Sequence, residues 1–262
     1  MKIAYLGIDL LAPVLHALLR EGCIIQKIFT CPTDNVTEFN TSVIETARTH
    51  SIPYTTQRIT AQDIAHLQEN GCEMLVCAGY YYRVPVSETL PMVNFHPSDL
   101  PVGRGSWPMP VIILRGLPYG GITAHKMDRD FDTGDILIQK RFPIDRNENH
   151  QTYMDKVYAR IPDMVHRLVT DLPVLLKNAQ PQGEGDYWPS PTAADWTITP
   201  EMGAEQADLI LRAFYGYECV YLSGDRRIEL IGGRFIHGDN DGQEFPVRGG
   251  YIVADKTRNL LE

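Results

Sequence analysis

Short apolar runs alternate with amphipathic segments over roughly the first two thirds of the chain, and this alternation predicts strands and helices in turn. Residues 2–6 read as a buried strand, Gly7-Ile8-Asp9 as a turn, and 10–20 as a helix closed by Gly22. A second strand is predicted over 24–30, helices over 36–49 and 61–69, and another buried strand over 74–78. Residues 92–95 form the next expected strand, and 106–115 a helix stopped by Gly116 and Pro118. Strands over 121–126 and 136–142 then flank an acidic loop in a hairpin-type arrangement. A long helical stretch covers 151–177, with Pro162 and Pro173 as kinks or breaks.

Strands separated by helices require right-handed crossovers, so the expected fold class is α/β: a Rossmann-like, mostly parallel sheet with helices on both faces. Ligands on such sheets sit beyond the carboxyl ends of the strands. Residues 178–192 carry Pro181, Gly183, Gly185, Pro189 and Pro191 and read as a connector. The helix expected over 204–214 and strands over 219–222, 227–231 and 251–253 then predict a small C-terminal α+β or β unit. The expected domains are therefore 1–190 and 191–262.

Composition narrows the function classes. The 262 residues are 44% hydrophobic, enough for a well-buried core, and the net charge of -9 argues against a protein built to grip a nucleic-acid backbone. Five cysteines form no CxxC pair or regular framework, which fits reduced thiols in a cytoplasm. Asp9 interrupts the first apolar run before a signal-peptide core forms, and no run reaches the roughly 18 to 20 residues of a membrane span. A soluble, cytoplasmic protein without a membrane partner is expected. GxGxxG and GxSxG motifs are absent.

The candidate chemistry lies between Val93 and Ile136. Asn94 and His96 are two apart on an expected strand and face the same side, offering an amide donor for a developing oxyanion and an imidazole for donation or proton transfer. The plain alternative is a turn-capping Asn94 and a satisfied strand-end His96. The acidic rhythm 128–135 is similar to the start of a calcium loop, but Thr133 and Gln139 stand where Gly and Glu are needed. Asp132 differs from its acidic neighbours because Thr133-Gly134 relaxes the backbone and lets one carboxylate turn inward. Arg104, in a Pro- and Gly-punctuated loop opening a helix, reads either as a ligand-binding cation or as an ordinary exposed arginine. Ala78-Gly79-Tyr80-Tyr81-Tyr82-Arg83-Val84 follows a buried strand and is rich in aromatics, suited to packing or to a flat heterocycle. His125 reads equally as a structural hydrogen-bonder or a catalyst, and no histidine spacing suggests a metal.

In this order the motifs resemble the formyltransferases that use N10-formyltetrahydrofolate: Asn94-x-His96-Pro97-Ser98, Leu100-Pro101-x-x-Arg104-Gly105-x-x-Pro108, Gly121-x-Thr123-x-His125 and Asp132-x-Gly134. With Leu6-Gly7 and Ala78-Gly79 the likeness covers most of residues 1–177, and one departure is Asp99, where the family commonly carries an apolar residue. The resemblance implies a catalytic trio of Asn94, His96 and Asp132, with a substrate amine attacking the formyl carbon. Asn94 and His96 would hold the oxyanion, and Asp132 would orient or charge-stabilise His96. It further implies folate as formyl donor, without a metal, along Tyr82, Arg83, Val84, Met127, Asp128, Asp130 and Phe131. Gly7, Asp9, Tyr81, Ser98 and Arg104 are carried over as substrate-binding residues.

The family's acceptors are initiator methionyl-tRNA, glycinamide ribonucleotide and nucleotide-linked amino sugars. Asp195-Trp196 and 210–214 resemble the tRNA enzymes, whose C-terminal domain is larger than the tail after Pro191, while the ribonucleotide enzymes end where this tail begins. The expected acceptor is therefore a nucleotide-linked amino deoxysugar, dTDP-linked first, in O-antigen or lipopolysaccharide assembly. A methionyl-tRNA enzyme with a shortened C-terminal domain is the alternative, and a non-catalytic folate- or nucleotide-binding protein the alternative of another class. The resemblance also implies a homodimer through the tail.

Overall fold

A computed structural model describes residues 1–35, 38–217, 219–239 and 244–260. In chain order its elements are β1 (Lys2–Gly7), α1 (Ala12–Arg20), β2 (Ile24–Phe29), α2 (Thr41–Thr49), β3 (Tyr54–Thr55), α3 (Ala61–Glu69), β4 (Met74–Ala78), β5 (Met92–His96), α4 (Pro108–Leu114), β6 (Tyr119–Lys126) and β7 (Ile136–Pro143). Then follow α5 (His150–Tyr158), α6 (Ile161–Lys177), β8 (Thr197–Ile198), α7 (Ala204–Ala213), β9 (Cys219–Ser223), β10 (Arg226–His237), β11 (Phe245–Val247) and β12 (Gly250–Asn259).

Seven strands form one sheet in the order β3-β2-β1-β4-β5-β6-β7. The pairs from β3 to β5 are parallel and β6 runs antiparallel to β5. Every residue of β4 is buried, although successive side chains point to opposite faces. Both faces of the sheet are therefore covered, and α1 packs with α6 in the covering layer.

The boundaries follow local chemistry. A 3-10 turn over Asp9–Leu11 precedes α1, and both carboxylate oxygens of Asp9 accept backbone N–H groups of α2, from Ser42 and Val43 at 2.9 Å. Helix α2 is expected from Val36; Val36 and Thr37 lie outside the described residues, and the helix itself runs from Thr41. Pro108 sits at the start of α4, where its fixed φ and missing N–H are tolerated, so the helix is shorter than expected. The long helix expected over 151–177 is two, broken at Ala159-Arg160, with Pro162 in the first turn of α6 and Pro173 inside it. Strand β3, two residues long, is too short to leave a sequence pattern.

The chain divides into two compact units. One comprises Met1–Ser106, Gly121–Phe142 and Lys156–Trp188, and the other Trp107–Gly120, Pro143–Asp155 and Pro189–Glu262. The second holds a five-stranded sheet, in the order β11-β12-β10-β9-β8, whose core of Phe214, Tyr221 and Leu230 also buries Ile210 and Leu211 of α7. It is an α+β unit. No helix among the described residues is long and apolar enough to cross a membrane.

Candidate active site

Strand β5 ends where the parallel part of the first sheet meets antiparallel β6, and its alternation aims Asn94 and His96 to one face while Val93 and Phe95 are fully buried. Register with β6 places His125 directly across from Asn94. The Asn94 amide donates from Nδ2 to His125 Nε2 and to Asp132 Oδ1, both at 3.1 Å. A carboxylate only accepts, so the nitrogen end of the amide is the one facing Asp132. His125 Nδ1 donates to the Lys126 carbonyl at 2.7 Å, leaving Nε2 as an acceptor for Asn94.

Asp132 reaches this group from the loop after β6, with a left-handed φ of 57°. Two residues on, a Cβ at Gly134 would run into the Lys126 carbonyl, so this loop can close against β6 only with glycine there. Asp132 Oδ1 lies 3.5 Å from both His96 Nδ1 and His125 Nε2, and Oδ2 accepts the Gly105 N–H at 3.0 Å. Burial opposes the charge on Asp132, but the attraction of His96 and His125 and the Gly105 amide outweigh it and bring the carboxyl down to about 2. Burial pushes the His96 imidazole below its ordinary value, against the raising influence of Asp132 and the Gly103 carbonyl. The resting pair is thus an ionised carboxylate beside a neutral imidazole.

These groups line one cleft. All seven residues expected along a folate, Tyr82, Arg83, Val84, Met127, Asp128, Asp130 and Phe131, lie on its wall, as does Tyr81. Tyr80 packs edge-on against Tyr82 at 5.5 Å and the Arg83 guanidinium lies over Phe131 at 5.2 Å, so aromatic rings make up much of this wall. Cys77 also lines the cleft, its thiol pushed up to about 12 first of all by burial.

Four residues expected near substrate are not part of this wall. Gly7 packs against the Tyr5 hydroxyl and the Ala78 carbonyl, Asp9 caps α2 and Ser98 is fully buried. Arg104 donates to Gln182 Oε1 from Nε at 3.1 Å and Nη2 at 3.0 Å, and to the carbonyls of Gly183 and Gly185. Asp99, polar where the family is commonly apolar, is accommodated by pairing with Arg141 of β7, whose Nε donates to it at 2.6 Å. Two contributors, the Gly105 amide and Gln182, escape sequence reasoning because their contacts are a backbone bond and a pairing 50 residues away. Among the described residues no group of three or more His, Cys, Asp or Glu is placed to hold a metal ion.

The model of the formyl transferase family matches residues 31–169, more than half of the chain. The chain belongs to this family. A methionyl-tRNA formyltransferase of Ehrlichia ruminantium is 29% identical over 193 residues, which are 72% of this chain and 62% of the relative. The chain thus spans less than two thirds of that relative's length. The formyl transferase fold is shared with a methionyl-tRNA formyltransferase from Clostridium thermocellum, at 20% identity and a TM-score of 0.65 over 99% of both chains. A sugar N-formyltransferase from a Shewanella species shares it at 19% identity and a TM-score of 0.68, over 91% of this chain and 99% of that one.

Proposed function

We propose that this member of the family transfers a formyl group from N10-formyltetrahydrofolate to the amino group of a nucleotide-linked amino deoxysugar, with dTDP the first nucleotide to test. The observation that carries the reaction is the meeting of the Asn94 amide, the neutral His96 imidazole and the Asp132 carboxylate at one cleft. The apolar and aromatic lining of Tyr82, Val84, Met127 and Phe131 suits a pteridine-like heterocycle, and Tyr81 lines the same cleft for the acceptor.

In the reaction the acceptor amine adds to the formyl carbon, the bond to the donor nitrogen breaks, and one amine proton ends on that nitrogen. His96 takes up the proton at Nδ1, because Nε2 is held as a donor by the Gly103 carbonyl at 2.7 Å. The imidazolium so formed faces the ionised Asp132, which stabilises it without itself being protonated. Asn94 supplies an N–H to the oxyanion by giving up its bond to His125 Nε2 while keeping the stronger, charge-assisted one to Asp132. Protonated Nδ1 of His96 then passes this proton to the departing donor nitrogen, which restores the neutral ring.

The acidic balance of the chain, 33 Asp and Glu against 24 Lys and Arg, supports a small acceptor over a polynucleotide. The name of the Ehrlichia relative favours a second reading, transfer to initiator methionyl-tRNA. The deciding experiment incubates the purified chain and donor with dTDP-, GDP- and UDP-linked amino sugars, methionyl-tRNA and glycinamide ribonucleotide. Formylation of an amino sugar is expected. Transfer to the tRNA alone would overturn the acceptor, and donor binding with no amine formylated would leave a binding protein.

A further inference from the structure

The backbone of Asp132 is gripped by a segment that the proposed reaction does not use. Residues 180–188, read from the sequence as a connector, are fastened at one end to the start of β7 and at the other to the loop of Arg104. Gln180 exchanges two backbone bonds with Ile136, at 2.7 and 2.9 Å, and the Trp188 N–H donates to the Arg104 carbonyl at 2.7 Å. The segment also lies close on the loop of Arg104, since a Cβ at Gly185 would come within 2.6 Å of the Pro101 side chain.

Gln182 occupies the span between those anchors. Its Nε2 donates to the Asp132 carbonyl at 2.9 Å and to the Gly134 carbonyl at 2.6 Å, while its Oε1 accepts both N–H groups from Arg104. Carbonyls cannot donate and a guanidinium cannot accept, so the amide has one permitted orientation and its capacity is filled. The next residue after Arg104 gives the amide that binds the Asp132 carboxylate. Arg104, Gln182 and Gly105 therefore hold Asp132 at both its main chain and its side chain, in a left-handed conformation that a non-glycine residue seldom takes unaided.

We propose that Gln182 is a positioning residue, which acts through the backbone of Asp132 to hold its carboxylate against His96, with Arg104 setting the Gln182 amide. The assignment deepens the reading of Asp132 as partner of His96 and rests on it. A displacement of about 1 Å at such a pair is enough to cost about a hundredfold in rate.

The test reads His96 directly and needs no acceptor. In histidine-labelled protein the His96 signal is assigned by its loss in His96→Asn and titrated by NMR in the otherwise wild-type chain, Gln182→Met, Asp132→Asn and the double variant. Gln182→Met removes both donors without adding charge, so the carboxylate drifts from the ring and the His96 pKa is expected to fall by about one pH unit. Asp132→Asn is expected to lower it as well, and Gln182→Met to add nothing in that background. Should Gln182→Met not fold, Gln182→Glu carries the test. It keeps an acceptor for Arg104, and a fall there runs against the rise that a new negative charge would give. An unchanged His96 in the folded variant, or an equal fall with and without Asp132, overturns the role of Gln182. An unchanged His96 in Asp132→Asn overturns the Asp132–His96 pairing itself, and the assignment with it.

Discussion

His96 donates from Nε2 to the carbonyl of Gly103 at 2.7 Å, and this one bond decides which ring nitrogen faces Asp132. In the neutral ring Nδ1 keeps its lone pair, 3.5 Å from a carboxylate that gains a counter-charge only when Nδ1 is protonated. Because burial lowers the His96 pKa, the neutral base is present above that lowered value and is lost as pH falls through it. The acid limb of kcat/KM should therefore lie below the unperturbed histidine value of about 6.5. Asp132 raises the His96 pKa, so Asp132→Asn should slow the enzyme and move the limb to still lower pH. A limb that moves upward in this variant would contradict the assignment of His96 as base.

Asn94 has both amide hydrogens engaged at rest, one by the Asp132 carboxylate and one by a ring nitrogen of His125. Asn94→Ala should reduce kcat by about 10² to 10³, the usual loss for one oxyanion donor, with little change in KM for the formyl donor. His125→Phe should have a smaller effect, about tenfold on kcat, because it removes an orienting partner and leaves the donor. Steady-state kinetics of both variants check the ranking; a larger loss in His125→Phe than in Asn94→Ala reverses these roles.

How much of this was legible in the sequence depended on how local each contact is. The spacing of Asn94 and His96 carries their shared direction because strand alternation is intrinsic to the backbone, and Gly134 marks the close turn that brings Asp132 inward. The pairing of His125 with Asn94 depends on the register of β5 with β6, which neither segment encodes alone. Charged residues were hardest to place. Arg104 and Asp9 have the chemistry of ligand binders, yet their partners, the Gln182 amide and the first N–H groups of α2, are supplied by remote segments. The division of the predicted helix over 151–177 was half legible, since Pro162 is tolerated in a first turn and so marks a start as readily as a kink.

Gly105 combines a φ of 124° with a site where an added Cβ would strike the Trp188 carbonyl, and its N–H holds Asp132 Oδ2. Gly105→Ala should cost about 2 kcal/mol or more in stability and depress kcat, because backbone strain and steric displacement act together on the carboxylate. Gly183→Ala, at a φ of 77° with nothing within 4 Å of its added Cβ, should cost only about 1 to 2 kcal/mol of left-handed strain and leave kcat nearly unchanged. Urea midpoints and turnover of the two variants separate the effects. Equal losses of turnover would show that Asp132 does not depend on the Gly105 amide.

His150 in the second unit is buried: Trp107 Nε1 donates to its Nε2 at 3.4 Å, the Tyr217 ring packs edge-on at 4.4 Å, and among the described residues no carboxylate is bonded to it. Burial pushes its pKa down to about 3, so the folded chain holds the ring neutral where the unfolded chain protonates it at about 6.5. The unfolded state binds more protons across that window, and the stability contributed by neutral His150 is present above about pH 6.5 and lost as pH falls towards 3. Each pH unit well inside the window removes about 1.4 kcal/mol, so roughly 2 kcal/mol should go between pH 7 and 5 from this residue alone. His150→Phe keeps an aromatic ring in the cluster and removes the titration. Urea unfolding followed by tryptophan fluorescence at the two pH values should show a smaller acid loss in the variant. A residual loss is expected from His96, whose pKa burial also lowers. Equal losses in the variant and the unaltered chain would mean that His150 is not the group through which acid destabilises this unit.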